Sequence, residues 1–188
     1  MGSFSQRVLL SLKGKALQLL AQREHSEMEL RRKLLSYARR LSSITLSNHS
    51  ETNFDSNQQD HGSFDTEIDA LLHLLQGAGY FSPQRFIESR IHARERRFGN
   101  ARILYELSQH GVYPDSNQLQ QLKNTELDRA NTVWRKKFGM LPDDEQNTSA
   151  SKAKQIRFLI QRGFSSNIAQ QVLRQRFDDK NPDTNEIF

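Results

Sequence analysis

The amino-acid sequence predicts an all-α protein, an elongated, curved array of three tandem three-helix repeats. Apolar residues recur at helical spacing through most of the chain, and no alternating β-branched run of strand length occurs. One leucine–glycine motif also returns at a period of about 50 residues, once a polar insert is discounted. A single unit of this size buries too little surface to be stable alone, so neighbouring units are expected to stack.

The repeated motif is clearest at two places in the second half of the chain. Residues 103–112 follow the pattern I-x-x-x-L-x-x-x-G-V, and residues 155–164 follow Q-x-x-x-L-x-x-x-G-F, with their central leucines 52 residues apart. Residues 30–38 give a weaker copy, L-x-x-x-L-x-x-x-A, in which Ala38 stands in place of glycine. These copies indicate three related helical units.

Glycines and aromatic residues mark the ends of the predicted units. Gly111 and Gly163 each follow an apolar helical segment and are suited to a left-handed C-terminal cap. The predicted repeats span residues 1–79, 80–124 and 125–178, and a frayed tail follows at residues 179–188.

The first repeat is predicted to begin with a helix over residues 4–22. Ser26 and Glu29 then form a capping box that opens a second helix, and a third begins at Asp65 or Thr66. Residues 42–63 are rich in Ser, Asn, Gln, Thr and Asp, and we predict a flexible acidic loop there, because such a segment cannot recover its ordering entropy by burial.

The second and third repeats are predicted to contain six helices. Ser82 caps the first of them with Pro83 in its first turn, and Asp115 with Gln118 forms a second capping pair. The predicted helices are residues 82–98, 100–110, 115–123, 125–138, 150–162 and 165–177.

Charge is distributed unevenly along the chain, which has a net charge of +5 and a pI of about 9.6. Residues 7–40 carry a net charge of +6, and residues 151–176 hold six basic residues and no acid. Residues 41–75 instead hold six acids and no Lys or Arg. Basic helices joined by acidic connections suggest a polyanionic or acidic partner, although the basic residues are also compatible with a merely solubilising role.

Several classes of chemistry lack the residues they need. The chain has no cysteine, which excludes disulfides, zinc–thiolate sites and thiol catalysis. Phosphate-loop and dinucleotide-binding motifs are missing, and the six histidines show no metal-binding pairing. No apolar run approaches the roughly 18 residues of a membrane span. We therefore expect a cytoplasmic protein without a cofactor or metal, and an enzyme is the least favoured class.

Binding by basic helix faces is the chemistry that remains. Arginine contacts phosphates and carboxylates with two parallel hydrogen bonds, which suits nucleic acid and acidic protein surfaces. Phe86 and Phe98 lie among the arginines, but their spacing is more typical of core packing than of base stacking. The candidate partner- or DNA-binding residues are Arg94, Arg97, Arg102, Lys136, Lys137, Arg157 and Arg162.

Four separated segments also resemble one known family. The segments are LQLLAQREHSEMELRRKL, GYFSPQRFIESRI, RRFGNARILYELSQHGV and WRKKFG with RFLIQRGFSSNIAQQVL, and together they are similar to the RecX family, whose members regulate the RecA recombinase. The similarity covers roughly residues 16–177. The insert at 42–63 and Gln155, at the position of Ile103, depart from the family pattern.

The resemblance implies a curved array of three-helix repeats and a monomer that binds the RecA filament on DNA. It also implies inhibition of RecA's ATP hydrolysis, strand exchange and coprotease activity, with effects on recombination and DNA repair. The family motif supports Arg102, Arg157 and Arg162 by position, whereas the other candidates depend on charge alone. The alternative is a stand-alone protein that binds single- or double-stranded DNA through its basic faces.

Overall fold

The structure, a computed structural model, describes residues 11–48, 60–140, 142 and 148–178. These residues form eight α-helices and no strand, so the predicted all-α class is confirmed. None of the helices described is both long and apolar enough to cross a bilayer. The helices are α1 (Leu12–Leu20), α2 (Glu27–Asn48), α3 (Asp60–Gly77), α4 (Pro83–Glu95), α5 (Asn100–Ser108), α6 (Ser116–Phe138), α7 (Ser149–Gln161) and α8 (Ser166–Asp178).

The chain divides into two compact units, Met1–Phe86 and Ile87–Phe188. The first unit contains α1 to α3, and its core is built from residues with almost no exposed surface. The second unit contains α5 to α8 and most of α4. The core residues of the first unit are Ala16, Leu19, Leu30, Leu34, Ala38, Ile68, Leu72, Leu75 and Phe81.

The first helix is shorter than predicted. Ser11 is an N-cap with extended backbone, and its hydroxyl accepts a hydrogen bond from the Gly14 amide at 3.1 Å. The helix therefore begins at Leu12 and ends at Leu20, and the predicted continuous helix over residues 4–22 is wrong in this part. Residues 4–10 lie outside the described residues.

The predicted loop at residues 42–63 is also wrong at both of its ends. Helix α2 continues to Asn48 and α3 begins at Asp60, while residues 49–59 lie outside the described part. Ala38 explains the longer helix, because the other copies of the motif have a helix-ending glycine there. The hydroxyl of Ser42 also bonds back to the Ala38 carbonyl at 3.3 Å, so this serine is satisfied within the helix.

The buried carboxylate of Glu29, at the start of α2, is paired with two partly exposed basic residues. The Glu29 amide donates to the Ser26 hydroxyl at 3.2 Å, as the capping box predicts, and the Glu29 carboxylate pairs with Arg23 and with Lys33 Nζ at 3.1 Å. Burial raises the pKa of Glu29, but the hydrogen bonds from Arg23 and Lys33 outweigh it and lower the pKa to about 2. Glu29 is therefore a carboxylate held firmly in its charged form.

His25, beside Glu29, is buried and neutral. Its Nδ1 donates to the Arg23 carbonyl at 2.8 Å, and its Nε2 lies 3.0 Å from Lys33 Nζ, from which it accepts. Burial lowers the pKa of His25. Because Nε2 accepts a hydrogen bond from the ammonium group of Lys33, it cannot also carry a proton in this arrangement.

The core of the second unit is formed by α6, α7 and α8 around Trp134. The Trp134 indole donates to Gln155 Oε1 at 2.8 Å, and the Gln155 amide donates to the Ser151 hydroxyl at 3.1 Å. Gln155 is fully buried. Gln155 therefore departs from the apolar pattern of the motif for a local reason. Its side chain accepts the hydrogen bond of the indole N–H, the only polar atom of the buried Trp134 side chain.

Helix α6 is continuous from Ser116 to Phe138, so the predicted separate helices at 115–123 and 125–138 are wrong. The capping box of Asp115 and Gln118 forms as predicted. No glycine or proline interrupts the helix after it, and the Thr125 hydroxyl bonds back to the Gln121 carbonyl at 2.9 Å. The polar residues around position 124 therefore do not end α6.

The repeated motif has the same local structure in its two strong copies. Gly111 and Gly163 have φ of 70° and 84°, the left-handed region that favours glycine. The amides of Val112 and Phe164 donate to the carbonyls of Leu107 and Leu159 at 3.2 Å, which closes both helix ends as predicted. The leucines of all three copies, including Leu34, are fully buried.

Candidate functional site

Phe98 gathers three of the candidate arginines at the junction between α4 and α5. The guanidinium carbon of Arg102 lies 4.4 Å from the centre of the Phe98 ring, and those of Arg94 and Arg97 lie at 5.7 and 5.9 Å. Arginine over an aromatic face contributes roughly 0.5–1 kcal/mol at an exposed site. The half-buried Phe98 ring therefore holds three cations near one another at the surface.

A fourth candidate, Arg162, comes from the turn between α7 and α8. The Gly99 amide donates to the Arg162 carbonyl at 2.9 Å, and the Ala101 amide donates to the Gly163 carbonyl at 3.1 Å. In return, the Arg162 guanidinium donates to the Arg97 carbonyl at 3.3 Å. We call Arg94, Arg97, Phe98, Arg102 and Arg162 the Phe98 cluster.

Two glycines allow these turns to meet backbone against backbone. A Cβ atom on Gly99 would lie 2.2 Å from the Gly163 carbonyl oxygen, and one on Gly163 would lie 2.5 Å from the Arg102 Cβ. Both distances are far below van der Waals contact. Any larger residue at either position must therefore separate the two turns, and with them the arginines that they carry.

A buried carboxylate holds the N-terminus of α5 below the cluster. The N-cap of α5 is Gly99, which has no side chain to cap the free amides. Glu126, on α6, takes this role, because its Oε1 accepts from the Asn100 amide at 3.0 Å and its Oε2 accepts from Asn100 Nδ2 at 2.9 Å. A negative charge there also complements the helix dipole.

Arg129 completes this support by binding four carbonyl or amide oxygens. Its guanidinium donates to the Phe98 and Leu122 carbonyls, both at 2.9 Å, as well as to the Glu95 carbonyl and to Asn100 Oδ1. Burial lowers the pKa of Arg129, while the nearby acids act in the opposite direction. This arginine is committed to the α4–α5 junction and has little capacity for a partner.

One acid partly neutralises the cluster. Glu106 Oε2 lies 2.8 Å from Arg94 Nε, as a charge contact without an aligned hydrogen bond, and its Oε1 lies 3.5 Å from Arg102 Nε. Four guanidinium groups against one carboxylate leave a formal charge of +3. The side chains of Arg94 and Arg102 are 35% and 48% exposed, so both are accessible to a partner.

The other three predicted candidates lie on different surfaces. Lys136 lines a cavity of about 490 Å³ with Glu95, Arg96, Asp128 and Arg129. Lys137 and Arg157 are exposed, on α6 and α7. The structure thus brings together Arg94, Arg97, Arg102 and Arg162 but not the remaining three.

The two residues that support the cluster, Glu126 and Arg129, were not among the predicted candidates. Glu126 and Arg129 had one available signal, because Glu126 lies at helical spacing with Leu122 and Ala130 on the buried side of α6. A charged residue in an apolar stripe needs a partner. Phe86 is buried in agreement with its predicted packing role, whereas Phe98 combines partial burial with contacts to arginine.

The chain is similar to a family model and to curated proteins. Residues 124–173 match the model "RecX, third three-helix domain". The regulatory protein RecX of Leptothrix cholodnii is 41% identical over 172 residues, which cover 90% of this chain and 92% of that protein. The regulatory protein RecX of Herminiimonas arsenicoxydans is 37% identical over 178 residues, 93% of this chain and 98% of that protein.

A solved structure supports the fold independently of close sequence similarity. A crystal structure of RecX from Lactobacillus salivarius matches with a TM-score of 0.56 at 17% identity, and the match covers 87% of this chain and 93% of that one. The three-helix domain and this likeness both fit a helical repeat array. On the identity and coverage of its relatives, this chain belongs to the RecX family of regulatory proteins.

Proposed function

We propose that this protein binds RecA filaments assembled on DNA and inhibits RecA-driven ATP hydrolysis, strand exchange and coprotease activity. In this way it modulates recombination and DNA repair. It acts in the cytoplasm as a monomer, by binding alone, without a cofactor or chemistry of its own. The family membership supports the regulatory role, and the resemblance described above supports RecA as the partner.

The Phe98 cluster is the structural feature that best supports this proposal, and it supplies the residues that we propose for the contact. It joins arginines from the α4–α5 junction and from the α7–α8 turn, and it keeps a formal charge of +3 at the surface. A RecA–DNA filament offers carboxylates and phosphates together. Guanidinium groups bind both with paired hydrogen bonds, and Phe98 and Glu106 hold those groups before the partner arrives.

Lys136, Lys137 and Arg157 contribute additional weak contacts in this proposal. They are exposed on α6 and α7, outside the Phe98 cluster. Several weak contacts on one folded chain reinforce each other through effective concentration, so the loss of one of them has a small effect. Reversal of charge inside the cluster is therefore the more decisive change.

The test is a titration of RecA-driven ATP hydrolysis on single-stranded DNA at substoichiometric ratios of this protein. The variant Arg97→Glu/Arg102→Glu should raise the concentration needed for half-inhibition by at least about tenfold, which corresponds to about 1.4 kcal/mol. The matched control is Lys123→Glu/Arg174→Glu, which makes the same charge change at exposed positions on α6 and α8. Equal inhibition by the cluster variant and the wild type would refute the assignment of this surface.

A further inference from the structure

Helix α2 carries a second concentration of arginine, in the first unit and separate from the Phe98 cluster. From Leu30 to Asn48 the helix contains five basic residues and no acid. Its side chains line a cleft of about 510 Å³. The lining residues are Met28, Arg31, Arg32, Leu35, Ser36, Arg39, Arg40 and Ser43.

The four arginines of this cleft form two adjacent pairs, eight residues apart along the helix. Eight residues correspond to about 12 Å along a helix axis. Arg32, Arg39 and Arg40 are exposed, whereas Arg31 already binds Asp69 Oδ1 and Asp65 Oδ1, both at 2.7 Å. The cleft therefore presents three available guanidinium groups beside one that is already bound to carboxylates.

We propose that this cleft on α2 binds the phosphate backbone of double-stranded DNA. The major groove of a duplex is about 12 Å wide, so the two arginine pairs match the spacing of the two strands that border it. The Ser36 hydroxyl lies between the pairs, and hydroxyls are common phosphate donors, whereas the Ser43 hydroxyl already donates to the Arg40 carbonyl at 2.9 Å. Phosphates supply charge at short, regular intervals along both strands.

The lining residues argue against two other occupants. Single-stranded nucleic acid is held by aromatic side chains on which bases stack, and among the described residues that line this cleft there is no aromatic. Protein interfaces rely on a well-packed aromatic or aliphatic anchor at their centre. Here the middle of the lining is Ser36 and Leu35, and Leu35 packs against the core of the first unit, with Arg32 and Arg39 on either side of this pair in the sequence. Duplex phosphates need neither feature.

The experiment measures the fluorescence anisotropy of a labelled 30-base-pair duplex titrated with the full chain at several salt concentrations, without RecA. The variant Arg32→Gln/Arg39→Gln/Arg40→Gln should lose at least about tenfold in affinity at 100 mM salt. The slope of log affinity against log salt should also fall by about 2 to 3, because each lost phosphate contact removes about 0.9 from it. The control Lys123→Gln/Lys154→Gln/Arg174→Gln removes the same charge at exposed positions outside the cleft, and its affinity should change less than about threefold.

Two further probes distinguish the occupants. A 30-nucleotide single strand should bind more weakly than the duplex, and polyglutamate should bind more weakly still. Equal losses of duplex affinity in both triple variants would mean that only net charge matters and would overturn the proposal. Tighter binding of the single strand or of polyglutamate, abolished by the cleft substitutions, would overturn the assignment to duplex DNA. None of these outcomes depends on RecA, so they are separable from the proposed function.

Discussion

Gly99 and Gly163 are in backbone contact, and a Cβ atom added to Gly99 would lie 2.2 Å from the Gly163 carbonyl oxygen. Through this contact the α4–α5 junction meets the α7–α8 turn. Gly99 has φ of −78°, a conformation that any residue adopts, so its backbone does not require glycine. The close approach is therefore the reason for glycine at this position.

Gly99→Ala should destabilise the second unit by about 3 kcal/mol, because a backbone oxygen cannot yield to the added methyl as a flexible side chain can. The measurement is urea unfolding followed by the fluorescence of Trp134, the single tryptophan. Gly77→Ala is the control, because a Cβ atom at Gly77 would have no atom within 4 Å. Its free energy of unfolding, measured by far-UV circular dichroism, should change by less than about 1 kcal/mol. Two variants of equal stability would contradict the proposed contact.

Glu126→Gln should destabilise the second unit by about 2 to 3 kcal/mol. The substitution removes the larger of the two carboxylate charges that stabilise the buried Arg129, with Glu95 remaining, and it weakens the cap of α5 at Asn100. Trp134 fluorescence during urea unfolding measures the effect. The exposed Glu88→Gln, on α4, should change stability by less than about 0.5 kcal/mol, and an equally small effect at Glu126 would show that the carboxylate is not needed.

Gln155→Leu should cost about 1 to 3 kcal/mol, because the Trp134 indole N–H then has no partner in the core. Trp134→Phe removes the same donor, so the double variant should lose less than the sum of the single variants. Circular dichroism during urea unfolding of all four proteins gives the coupling energy, which we expect to be at least about 1 kcal/mol. Additive losses would indicate that the hydrogen bond contributes nothing.

The first unit should lose stability in acid because of Glu29. Its pKa is lowered to about 2 in the folded protein from an ordinary value of 4.5. A lowered pKa gives stability that is present above pH 4.5 and is lost as the pH falls towards 2, by about 3 kcal/mol in total. The lowered pKa of His25 acts in the same direction, since stability is lost as the pH falls below the ordinary value of 6.5.

Glu29→Gln should therefore be less stable than the wild type at pH 7 but should show a flatter dependence on pH between 5 and 2. Hydrogen exchange of the α2 amides, measured at several pH values, reports the first unit directly. Glu67→Gln, at an exposed position on α3, should keep the pH dependence of the wild type. An unchanged pH dependence in Glu29→Gln would mean that another group accounts for the acid sensitivity.

Local patterns predicted the features that depend on local structure. The buried leucines Leu107 and Leu159, with the left-handed caps at Gly111 and Gly163, follow from spacing and from the conformational freedom of glycine. The capping box at Asp115 is local for the same reason. These elements form wherever their few neighbouring residues occur in order, so the sequence suffices to predict them.

Features that depend on distant contacts or on the absence of a stop signal were not predicted. Helix α2 continues past Ala38, although the polar composition of residues 42–63 suggested a loop, and α6 continues through position 124, where a boundary between two helices was predicted. The bonds from Asn100 to Glu126 and from Gly99 to Arg162 join residues 26 and 63 positions apart. Charge and the family motif therefore identified the arginines, but only the fold showed which of them meet.

We propose that the Phe98 cluster binds the RecA filament, and the most direct test is the affinity of this protein for RecA assembled on labelled single-stranded DNA. The wild type should bind the filament more tightly than the same DNA without RecA. The variant Arg97→Glu/Arg102→Glu should lose at least about tenfold of the filament affinity, while Lys123→Glu/Arg174→Glu should stay near the wild type. Equal affinity of the wild type and the cluster variant for the filament, with both correctly folded, would contradict the claim.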